Sequence, residues 1–145
     1  MKDLHSSVSV AVMIAAAVLD ADPTPLELDL QGFEAAEIVL SVGAGGITFD
    51  ATNKIEFVLE HSDDALTWTN VATADVLGVS SVTDGIIKSL VAAHASAAAY
   101  RFGYIGGKRY VRLTPDFSGT HVAGTPIAAT LIKGHPNLQP QAAQA

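Results

Sequence analysis

Residues 100–113 read Tyr-Arg-Phe-Gly-Tyr-Ile-Gly-Gly-Lys-Arg-Tyr-Val-Arg-Leu. Two alternating runs flank Gly106 and Gly107, and a glycine pair in that position is typical of a two-residue β-hairpin turn. The predicted pairing places Gly103 opposite Tyr110. One face of this hairpin is then aromatic and aliphatic, with Arg109 near its rim and able to stack on Tyr104. The residues of that face are Tyr100, Phe102, Tyr104, Val111 and Leu113.

The other face of the predicted hairpin is basic. Four of the eight Lys and Arg residues of the chain lie in this stretch, and none of its fifteen Asp and Glu residues does. One interpretation is a partner-binding surface that meets an acidic patch, with the tyrosine as its buried anchor. The other is internal pairing with carboxylates on neighbouring strands, such as Glu56 or Glu60. The residues concerned are Arg101, Lys108, Tyr110 and Arg112.

The composition indicates assembly with other subunits. The chain has 145 residues, a length that corresponds to one domain, and 49% of them are hydrophobic while only 16% are charged. Ordinary soluble domains are about 25% charged, so a monomer of this composition leaves apolar surface uncovered. We therefore expect a homo-oligomer, most simply a dimer. The net charge of −7 argues against nucleic-acid binding.

The longest apolar run is Val8–Leu19, and it is the candidate for the contact between copies. Its twelve residues are too few for a membrane span of about 20. Alternation at its start favours a strand over the core of a signal peptide, and Lys2 is offset by Asp3. We expect no membrane association.

Strand-like runs recur along the chain with turn signals between them, which predicts an all-β fold. The expected architecture is a β-sandwich of about eight strands, jelly-roll-like, with at most one short helix. Residues 1–135 form the single domain, and residues 136–145 form an extended tail whose composition cannot build a core. The region 86–99 is open between a short helix and a crossing loop. The predicted strands are Val8–Leu19, Leu26–Leu30, Glu37–Val42, Ile55–His61, Thr67–Val71, Tyr100–Ile105, Lys108–Thr114 and Pro126–Lys133.

No residue pattern indicates catalysis, and we expect neither a cofactor nor a metal. The chain has no cysteine, its five histidines lack metal-ligand spacing, and no nucleophile elbow is present. The segment 43–46 is rich in glycine but precedes a strand-like run, so it is a turn and not a dinucleotide loop. Asp63 and Asp64 belong to a predicted turn between two paired strands, and two carboxylates are too few for calcium. Trp68 is expected in the core, although an exposed ring would suit a sugar.

Four segments together resemble a known group of proteins. They are residues 55–64 (IEFVLEHSDD), 104–112 (YIGGKRYVR), 117–121 (FSGTH) and 124–128 (GTPIA). Over about residues 55–135 the chain resembles the small jelly-roll cement, or decoration, proteins of tailed-bacteriophage capsids.

This resemblance implies a structural virion protein, not an enzyme. Its partner would be the major capsid protein, and its place the outer surface of a capsid assembled in the host cytoplasm. Such a protein binds the assembled lattice, bridges shell subunits and thereby stabilises the shell. A carbohydrate-binding β-sandwich module of a virion or secreted protein is the alternative, and it would require exposed aromatic side chains. Only 6% of the residues are aromatic.

Overall fold

The computed structural model describes residues 3–142 and residue 144, and it folds as a sandwich of two antiparallel sheets with five strands each. This confirms the predicted all-β sandwich. The first sheet, sheet A, has the order β1-β10-β3-β8-β6, and the second, sheet B, has the order β2-β9-β4-β5 with β7 also paired to β4. The strands are β1 (Val8–Leu19), β2 (Leu28–Asp29), β3 (Phe33–Val42), β4 (Lys54–Ser62), β5 (Thr69–Asn70), β6 (Val76–Leu77), β7 (Ile86–Leu90), β8 (Ala98–Tyr104), β9 (Tyr110–Ser118) and β10 (Thr125–Pro136).

The strand order is that of a jelly roll. Without the short strands β6 and β7, the eight remaining strands can be renumbered 1 to 8 in chain order. Their order is then 1-8-3-6 in sheet A and 2-7-4-5 in sheet B, which is the arrangement of an eight-stranded jelly roll. The core lies between the sheets because each long strand turns every second side chain inward. In β4, Ile55, Phe57 and Leu59 are fully buried, while Glu56 and Glu60 lie on the outer face.

The hairpin predicted around Gly106 and Gly107 is wrong. Strand β8 pairs with β3 and β6 in sheet A, whereas β9 pairs with β4 and β2 in sheet B, so the glycines carry the chain from one sheet to the other. Neither glycine has the positive φ that a type I′ turn requires. Gly106 instead allows the Tyr104 ring to pack closely against the backbone, because a Cβ at this position would lie 2.7 Å from the ring.

The region 86–99 contains neither a helix nor a single long loop. Its first residues form β7, and Ala98 begins β8. A tight turn precedes β7, in which Asp84 and Gly85 have φ of 52° and 78°, and the Ile86 N–H donates to the Thr83 carbonyl at 2.9 Å.

Helical structure within the described residues is limited to two 3₁₀ turns, His5–Ser7 and Thr73–Asp75. No helix of the described chain has the length and apolarity to cross a membrane. The hairpin predicted around residues 62–65 is present, because β4 pairs with β5 through His61 and Thr69.

The C-terminal segment folds back against the start of the chain. Strand β10 extends to Pro136, and the Asn137 N–H then donates to the Gly32 carbonyl at 2.9 Å. Farther along, the Gln141 N–H donates to the carbonyl of Ser6 at 3.1 Å. Residues 143 and 145 of the predicted tail lie outside the described residues.

Candidate interaction surface

The four predicted partner-binding residues do not share one face. Arg101 lies on β8 in sheet A, whereas Tyr110 and Arg112 lie on β9 in sheet B and Lys108 lies in the crossing between them. The Arg101 side chain is 85% exposed, and its Nε is 4.0 Å from Oε1 of Glu37. Arg101 is thus separated from the other three because the predicted hairpin does not form, and the role of the four residues in partner binding stays a prediction.

Arg112 is paired within the fold, as the second interpretation expected. Its Nε donates to Oε2 of Glu60 at 2.7 Å, across the β4–β9 register. Its guanidinium carbon lies 4.3 Å from the ring centre of Trp68, a cation–π contact. The expected core position of Trp68 is wrong, because the residue is half-buried outside the core. Arg112 covers its ring, which leaves the ring poorly placed to receive a sugar.

Lys108 and Tyr110 also have neighbours within the chain. The Lys108 Nζ donates to Oγ1 of Thr69 at 2.9 Å, and the Tyr110 ring lies 4.8 Å from the Arg109 guanidinium carbon. Arg109 therefore stacks on Tyr110, where the sequence predicted Tyr104. Arg109 also donates to both carboxylate oxygens of Asp29, at 2.9 and 2.7 Å, and this pairing lowers the Asp29 pKa.

The outer face of sheet A is largely apolar over β1 and β10, and this apolar surface extends to Val39 on β3. Val12, Thr130, Val39 and Arg101 are successive neighbours across β1, β10, β3 and β8. In the adjacent row, Ile132 lies between Val10 and Glu37. We call this surface the apolar face and define it by Val10, Val12, Val39, Ala128, Thr130 and Ile132.

The apolar face contrasts with the outer face of sheet B. There Lys54 pairs with Glu56 at 2.8 Å and Glu60 pairs with Arg112, while Asp116 is exposed. Val10 and Val12 are 45% and 56% exposed. A signal for this asymmetry exists in the sequence, because both alternating sets of residues are apolar in Val8–Leu19, whereas only one set is apolar in Ile55–His61.

The described residues contain no cluster of three or more His, Asp or Glu side chains suited to a metal ion. An open groove at one end of the sandwich is lined by Glu34, Asp63, Lys108 and Arg109. Its mixed charges select no class of ligand. The apolar face is therefore the surface best suited to a partner.

No protein-family model matches the chain, and no curated protein matches it. Among solved structures, the chain is similar to the SPBc2 prophage-derived protein YomS. The two are 12% identical with a TM-score of 0.49, over 88% of this chain and 93% of YomS.

Proposed function

We propose that this protein is a structural component of a tailed-bacteriophage virion that binds the outside of the assembled capsid and bridges its shell subunits. The proposal joins the sequence resemblance to capsid cement proteins with one structural observation, the apolar face of sheet A. Binding by such a face removes apolar area from water and needs no catalytic chemistry.

The apolar face has the composition of an interface core with a charged rim. Thr130 lies near its centre and carries no charge, and Val39 beside it is half-buried at the β3 margin of the face. Arg101 and Glu37 lie at the β8 side of the face. Apolar cores surrounded by polar rims are typical of protein–protein interfaces. Of the four predicted partner-binding residues, we propose Arg101 for the shell contact, because it borders the apolar face.

The test is cosedimentation of the purified chain with capsids assembled from the cognate major capsid protein. Val39→Lys places a charge on the apolar face beside Thr130, and we expect occupancy to require at least about tenfold more protein. Val58→Lys is the matched control, because Val58 is half-buried on the outer face of sheet B. Retained binding by Val39→Lys, or equal losses in both folded variants, would contradict the proposal.

A further inference from the structure

The free edge of β1 is covered by a side chain that imitates a neighbouring strand. The Val10 N–H donates to Oε1 of Gln144 at 2.9 Å, and Nε2 of Gln144 donates to the Val10 carbonyl at 2.8 Å. These are the two hydrogen bonds that a residue makes with its opposite number in an antiparallel pair. They show that both backbone groups of Val10 point away from β10.

The first part of strand β1, Val8 to Val12, lacks the charges, prolines and bulges that usually protect an edge strand. The twelve residues of β1 include no charge and no proline, and this first part pairs with β10 in an unbroken register. Edge strands of this kind add a further strand unless something covers them. Gln144, on an exposed terminal segment, covers Val10 with two hydrogen bonds.

We infer that the β1 edge is a homodimerisation site, at which β1 of a second copy replaces Gln144 and joins two A sheets into one. A two-fold axis at Val10 makes this pairing self-complementary. Val10 then lies opposite the partner's Val10, and Val8 lies opposite the partner's Val12. Alternation directs the backbone groups of Val8 and Val12 to the same edge as those of Val10.

The second copy is favoured over other occupants by this symmetry and by charge. Each opposed pair consists of uncharged side chains, so two acidic chains can meet here without like charges facing one another across the strands. The pairing also makes the apolar faces of the two copies continuous. Dimerisation through β1 requires no capsid, so it can be measured on the purified chain alone.

Gln144→Ala removes the cover, and we expect the dimer dissociation constant to fall by about tenfold or more in sedimentation equilibrium. Adding Val10→Lys to this variant places two ammonium groups at the axis and should restore the monomer. Val39→Lys adds the same charge to the apolar face but away from the edge, and should leave the dimer intact. A Gln144→Ala chain that associates no more strongly than the parent would overturn the inference.

Cysteine crosslinking tests the register in a chain that has no cysteine of its own. In the inferred dimer the two Cα atoms of residue 10 are about 5.5 Å apart, within the range of a disulfide. With Gln144→Ala present, Val10→Cys should form a covalent dimer on mild oxidation. Val12→Cys should not, because its two copies lie about 13 Å apart along the strands. Equal or preferential crosslinking through position 12 would overturn the two-fold pairing at Val10.

Discussion

The Nδ1 atom of His61 lies 3.0 Å from the hydroxyl oxygen of Tyr104, and this contact joins the two sheets inside the sandwich. His61 belongs to β4 in sheet B and Tyr104 to β8 in sheet A. The hydroxyl also accepts the backbone N–H of Lys108 at 3.2 Å. With the proton of the neutral imidazole on Nε2, Nδ1 accepts the hydroxyl proton of Tyr104.

Tyr104→Phe should destabilise the fold by about 1–3 kcal/mol, because it leaves both the His61 ring nitrogen and the Lys108 N–H without their partner. The free energy of unfolding in urea measures this loss. Tyr100→Phe is the control on the same strand, since its hydroxyl bonds to no residue that the structure describes. A cost below about 0.5 kcal/mol for Tyr104→Phe would show that water satisfies these groups equally well.

The burial of His61 makes stability depend on pH. Burial, and secondarily the charge of Lys108, lowers the pKa of His61 below its ordinary value of 6.5. The unfolded chain then binds a proton at a higher pH than the folded chain does, so acidification favours unfolding. Stability should fall as the pH decreases from 6.5 towards the lowered folded pKa, and level off below it.

His61→Gln isolates this effect, because an amide oxygen can still accept the Tyr104 hydroxyl proton but does not titrate. The difference in unfolding free energy between the parent and His61→Gln should change between pH 7.5 and 5. The other histidines are present in both chains, so their contributions to the pH dependence cancel in this difference. Parallel curves over this range would contradict the assignment.

Asp64 should matter to the fold in spite of its exposure. Hydrogen bonds from the N–H groups of Thr67 and Leu66, at 2.8 and 2.9 Å, and from the Ser62 hydroxyl lower its pKa to about 2. Its stabilising contribution is thus present above pH 3.8 and lost as the pH falls through about 2. At pH 7, Asp64→Asn should lower the melting temperature more than Asp63→Asn does, and the difference should shrink at pH 2. Equal effects at pH 7 would contradict this role.

The strands were predictable from the sequence because alternation is a local signal, and Val8–Leu19 is a strand with the predicted bounds. The partners of β8 and β9 were not predictable in the same way. A glycine pair between alternating runs indicates a hairpin, but the jelly roll sends these two strands to opposite sheets, and Gly106 accommodates the Tyr104 ring. The sequence does contain a local turn signal before strand β7, because Asp84-Gly85 is a favoured type I′ turn sequence.

The predicted partner-binding surface depended on a hairpin between β8 and β9, which the structure does not contain. Because β8 and β9 lie in different sheets, Arg101 borders the apolar face whereas Arg112 lies on the charged face of sheet B. The apolar face itself combines β1, β10 and β3, which are distant in sequence. The sequence shows that both faces of strand Val8–Leu19 are apolar, but only the strand order shows which residues of β10 and β3 lie beside it.

The two arginines should consequently respond differently to charge reversal. Arg112→Glu removes a 2.7 Å ion pair whose side chains are 22% and 19% exposed, places a like charge beside Glu60 and uncovers Trp68. We expect a loss of about 1–2 kcal/mol, largely restored by the charge swap Glu60→Arg with Arg112→Glu. Arg101→Glu should change stability by less than about 0.5 kcal/mol, because its 4.0 Å contact with Glu37 is exposed.

Urea denaturation of the single and double variants measures these differences, and capsid occupancy provides the second readout. Under the proposed function Arg101→Glu weakens shell binding while the fold survives, and the charge-swapped chain binds normally because its apolar face is unchanged. If Arg101→Glu binds normally at both low and high salt while the charge-swapped, folded chain does not, the shell contact belongs to sheet B and not to the apolar face.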